Sequence, residues 1–145
     1  MTIPDNLIYK DSRIQVSLDQ GSQYNRTAKA LVISGTRNGF LSLANSLLFA
    51  VNELEEVIAV GELPFVSADV DFRIHINDST EKLAKQYPHP PVTCSSTKSY
   101  VWDLGEGVFF DLVAGIHSLG YCNNEIHFDR GMPMDKISVY CVVSV

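Results

Sequence analysis

The chain has 145 residues, 46% hydrophobic and 19% charged, which suits one domain with one core and does not suit a disordered chain. Its formal net charge of -6 argues against a sequence-independent nucleic-acid binder, which needs a basic surplus. Cys94, Cys122 and Cys141 are odd in number, widely spaced and without a C-x-x-C, which argues against a disulfide framework and a thiolate zinc site.

The first ten residues, MTIPDNLIYK, show no charged segment leading into an apolar one. No apolar run approaches the ~20 residues that span a bilayer. The expectation is a cytoplasmic protein with reduced thiols and no membrane contact.

Leu7 to Leu18 reads as a first strand or pair of short strands. Ile14, Val16 and Leu18 alternate there with Arg13, Gln15 and Ser17. Asp19 to Arg26 is turn-rich, and Ala28 to Ser34 reads as a second strand. Asn38 to Glu56 then carries Phe40, Leu43, Ala44, Leu47, Leu48, Val51 and Leu54 at helical spacing, with Ser42, Asn45, Ser46, Asn52 and Glu53 opposite. Thr36 or Asn38 is positioned to cap it.

Gly61 and Pro64 mark a loop. Asp69 to Asn77 alternates strictly, with Val70, Phe72, Ile74 and Ile76 on one side and Asp71, Arg73 and His75 on the other. Asp78 to Tyr87 suggests a short helix ended by Pro88, Pro90 and Pro91. Val92 to Lys98 is polar, an irregular stretch or an edge strand, and Ser99 to Leu104 is a further strand. Val108, Leu112, Val113, Ile116 and Leu119 form a second helical stripe stopped at Gly120. Glu125 to Arg130 and Lys136 to Val145 close the chain as strands.

Strand–helix blocks thus occur twice, with Gly39-Phe40 and Gly107-Val108 opening the helices. Strands come in runs and do not alternate one-to-one with helices. The fold class expected is α+β, with a mostly antiparallel β-sheet and two main helices packed on one face, in a single domain over residues 1–145.

No G-x-S-x-G, P-loop, G-x-G-x-x-G after a strand or HExxH is present, so no catalytic residue is assigned, no cofactor is expected, and an enzyme is not the first reading. Glu53, Glu55, Glu56 and Glu62 gather near the C-terminal end of the first helix, where the macrodipole is already negative. Such a cluster suits a basic partner, and Phe65 in the neighbouring loop suits an apolar anchor. The plain accounts are solubility for the charges and core packing for Phe65.

Asp71 with His75, and His127 with Asp129, lie two or four residues apart on strand-like segments. If those strands paired with polar faces together, they would offer metal ligands or an acid–base pair. The plain account is a solvated sheet face with cross-strand pairing. His89, between two prolines, has no evident partner in the sequence.

Three stretches carry a resemblance: VISGTRNGFLSLANSLLFAVNEL, the WDL…FFDLVAGI segment, and the tail EIHFDRGMPMDKISVYCVVSV. Together they touch about half of the chain, and it resembles bacterial immunity proteins, small cytoplasmic inhibitors of polymorphic or contact-dependent toxins. That resemblance implies inhibition by direct binding to a cognate toxin domain, with no chemistry of its own. The acidity suggests a basic toxin such as a nuclease. Two other readings stand beside it. One is a small metal-binding protein or enzyme using Asp71, His75, His127 and Asp129. The other is a homo-oligomeric structural or regulatory domain, for which a homodimer is the simplest form.

Overall fold

A computed structural model describes residues 2–20, 27–76 and 88–144. The first strand, β1 (Ile14–Gln20), forms an antiparallel hairpin with β2 (Lys29–Gly35). Of Leu7 to Leu18, expected as a strand or pair of short strands, only the part from Ile14 is strand, and Leu7 ends a 3-10 turn (Asp5–Leu7). The chain then enters helix α1 (Arg37–Asn52), whose first turn is capped by Thr36: its Oγ1 accepts the Gly39 N–H at 3.0 Å. After α1 come β3 (Val57–Ala59), a 3-10 turn (Val60–Glu62), β4 (Val66–Ala68) and β5 (Asp71–Ile76).

The second half repeats the plan. Strands β6 (Thr93–Ser96) and β7 (Ser99–Leu104) form an antiparallel hairpin, followed by helix α2 (Glu106–Ser118) and the antiparallel pair β8 (Glu125–Phe128) and β9 (Ile137–Val143). The expected short helix at Asp78 to Tyr87 lies outside the described residues, as does most of the turn-rich segment Asp19 to Arg26.

The two halves exchange strands. β9 lies parallel to β2, in register from Lys29 opposite Ile137 to Gly35 opposite Val143. β5 lies parallel to β7, from Asp71 opposite Ser99 to Ile76 opposite Leu104. The result is two sheets, ordered β4-β1-β2-β9-β8 and β3-β5-β7-β6. The α+β class holds. The single sheet does not: there are two, each mixing parallel and antiparallel pairs, with four antiparallel pairings to three parallel ones among the described strands. The tail strand β9 is interior, and β6 is an edge as its polarity suggested.

One hydrophobic cluster joins the halves. It draws Val16 and Leu31 from the first sheet, Phe72 and Trp102 from the second, and Leu47 and Phe109 from the helices, each almost wholly buried. The helices pack against each other. A Cβ on Gly120 would lie 2.2 Å from Cδ2 and 2.4 Å from Cγ of Leu41, so this glycine allows close approach of α1 to the end of α2. Arg37 fastens the same junction: its guanidinium donates to the Leu119 and Asn123 carbonyls at 3.2 and 3.0 Å and to Asn124 Oδ1 at 2.6 Å.

The two faces of α1 depart from expectation. Ser42 and Ser46, on the polar side, are buried. The segment before β1 reaches Ser42: the Tyr9 N–H donates to Ser42 Oγ, and Ser12 Oγ lies 2.7 Å from it. Ser46 Oγ donates to the Ser42 carbonyl. Conversely, Leu48 is exposed, and Leu54 falls beyond the helix end at 88% exposure.

Candidate partner-binding site

The parallel pairing of β5 with β7 sets the C-terminal ends of both strands beside each other. At that end α1 terminates and α2 begins, and a cleft of about 710 Å³ opens between them. Its walls carry Val51, Leu54, Glu55, Glu56, Val57, His75, Ile76 and Glu106. Among the described residues, three carboxylates and no lysine or arginine line it. Crevices at the carboxyl ends of parallel strands are common ligand positions, because adjacent connections diverge there.

Each wall has a local cause. α1 ends at Asn52, and Leu54 takes a left-handed conformation at φ 59°, which lets the chain reverse. The Glu55 N–H bonds back to the Ala50 carbonyl at 3.0 Å. The Ile76 N–H donates to the Glu56 carbonyl at 2.9 Å, tying the outgoing chain to the end of β5. An L-residue with a large apolar side chain is disfavoured at positive φ by ~1–2 kcal/mol. Here that residue is also the most exposed large hydrophobic of the described chain.

Among the described residues, electrostatics in the cleft are one-sided. Glu55 and Glu56 follow the C-terminal end of α1, where the helix macrodipole is negative. Glu106 occupies the first turn of α2, where the opposite dipole end favours it. His75 Nδ1 lies 3.4 Å from Asp103 Oδ1 on the neighbouring strand, both about one-third exposed.

The sequence-predicted residues divide. Glu55 and Glu56 line the cleft, Glu53 is the C-terminal cap residue of α1 beside it, and the exposed Glu62 ends the 3-10 turn. Phe65 is half-buried against the core and faces a separate shallow recess of about 280 Å³ with Arg13 and Ile14. Leu54, Asp103 and Glu106 were not singled out from the sequence. The run NELEE contained the signal for Leu54, since an apolar residue between acids at a helix end has no core to enter. Glu106 had no local signal, because only the parallel pairing brings α2 to the end of α1.

The proposed metal set does not converge. His75 belongs to the second sheet and His127 to the first, so β5 and β8 never pair. Asp71 bonds Arg73 at 3.2 Å, and His127 lies between Glu125, at 3.7 Å, and the Tyr140 ring, at 4.4 Å between centroids. Asp129 is buried after the end of β8. Among the described residues, no three His, Cys, Asp or Glu side chains are grouped to hold a metal ion.

Comparison with known proteins gives no match. Neither the protein-family models, nor the curated proteins, nor the solved structures contain one. Among the described residues no helix is long and apolar enough to cross a membrane.

Proposed function

We propose that the chain is a cytoplasmic binding protein that neutralises a cognate bacterial toxin by docking on it, with no catalysis of its own. The observation that carries this reading is the cleft in which an exposed, backbone-strained Leu54 stands among Glu55, Glu56 and Glu106, with no lysine or arginine among the described lining residues. An apolar anchor inside a ring of one charge is the pattern that buries area and steers an oppositely charged surface. A nuclease-like toxin, whose substrate is a polyanion, presents such a basic surface. The resemblance to immunity proteins points to the same class of partner.

The test uses the chain as bait in a lysate of its source organism, followed by co-expression with the toxin domain recovered. Wild-type chain restores growth. Glu55→Lys, Glu56→Lys and Glu106→Lys combined lowers affinity at least ~10-fold and flattens its salt dependence, as loss of steering charges does. Unchanged affinity and salt slope would remove the cleft from the interface. A partner that stays toxic while bound would remove the inhibitor reading.

A further inference from the structure

A second cavity, of about 310 Å³, shares no lining residue with the acidic cleft. It lies between α2, the end of β7, β8 and the Pro88–Pro90 turn. Its apolar side is aromatic and fixed. Trp102 is buried, its Nε1–H donates to the Pro90 carbonyl at 2.6 Å, and its ring meets Phe128 edge-on at 5.7 Å. Phe128 in turn meets the His89 ring edge-on at 5.4 Å. Leu112 of α2 completes the wall.

The polar side carries three groups. His89, which had no evident partner in the sequence, is held by the turn after β8: Nδ1 accepts the Arg130 N–H at 2.9 Å. That bond places the ring proton on Nε2. Burial, and then the Arg130 charge, hold the imidazole below its usual value of 6.5, so it is a neutral donor at neutral pH. Arg130 and Asp111 are exposed at the cavity rim, and neither has an ion-pair partner among the described residues. A guanidinium and a carboxylate sharing one small cavity without pairing leave two opposite charges for a ligand to answer.

We propose that this cavity binds a small zwitterion of the apolar α-amino-acid class. Its carboxylate is taken by Arg130 with His89 Nε2–H, its ammonium by Asp111, and its side chain by the Trp102–Phe128–Leu112 wall. The volume is at the lower end of the ~300–1,000 Å³ range for small-molecule sites, which fits a free amino acid and excludes a folded partner. A monoanion would gain from Arg130 and lose to Asp111, and a monocation the reverse; a dipolar ligand suits both.

Trp102 is the single tryptophan and lines the cavity, so its fluorescence and its indole N–H resonance report binding directly. L-Phenylalanine and L-leucine are titrated, with 3-phenylpropionate and phenethylamine as single-charge comparators. At least one amino acid gives a saturable change, and each comparator binds about tenfold or more weakly, the usual effect of losing one charge-assisted hydrogen bond. Arg130→Gln and Asp111→Asn each weaken the amino acid by a similar factor while leaving thermal unfolding unchanged, since both side chains are exposed. No response to either amino acid overturns the proposal. So does equal binding of a comparator, or an unaltered affinity in Arg130→Gln.

Discussion

Leu54 combines two costs at one position, a positive φ and an almost fully exposed apolar side chain. Leu54→Gly removes both. Thermal unfolding should report a gain of up to ~1 kcal/mol from the relaxed backbone, while affinity for the proposed toxin partner falls. The thiols separate on burial alone. Cys141 is fully enclosed in β9 and burial pushes its thiol far up, whereas Cys94 and Cys122 are exposed. A maleimide should therefore label two thiols in the native protein and the third only after unfolding. For His89 the folded-state value lies below 6.5, so the unfolded chain takes up its proton first. The stability tied to its neutral form is present above pH 6.5 and is lost as pH falls from there through the folded value. His89→Gln should flatten that acid limb in unfolding curves followed by Trp102 fluorescence. None of this was readable from H-P-P spacing: the partner of His89 is 41 residues away.

At the scale of elements, the helix–helix junction rests on a glycine and an arginine. Gly120→Ala should destabilise by ~1–3 kcal/mol, the usual cost of overpacking, because Leu41 is itself buried and must yield. Leu41→Ala in the same chain should recover part of that loss, which a double-mutant cycle measures directly. The sequence placed a stop at Gly120 for the wrong reason. It has no left-handed φ there, and the position is set by contact with α1. Local pattern served the elements well where one face meets the core and the other meets water, as in Phe72 and Ile74 against Asp71 and Arg73. It served poorly for α1, where Ser42 and Ser46 look solvent-facing but are buried: a distant segment supplies partners for Ser42, and Ser46 bonds back to the Ser42 carbonyl. Periodicity reports polarity, and buried serines that satisfy one another's backbone are polar without being wet.

Across the whole molecule, the α+β class was legible because strands clustered and two amphipathic stripes were long. The pairing was not, since parallel neighbours such as Ile33 and Cys141 lie far apart in the chain and leave no turn between them. The cleft inherits that limit: Glu56 and Glu106 become neighbours only after β5 and β7 align. Because β9 is interior to its sheet, deleting residues 137–145 should abolish cooperative unfolding, where loss of an edge strand would only lower the midpoint.

The exchange of strands between the halves also sets what a second copy could do. Each half presents a hairpin and helix that are completed by a strand pair from the other, and nothing in that geometry requires both halves to belong to one chain. Shortening the connection from β5 to β6 until it can no longer fold back would let two polypeptides complete each other. Two such chains would then form an interlocked pair, with each sheet assembled from both polypeptides.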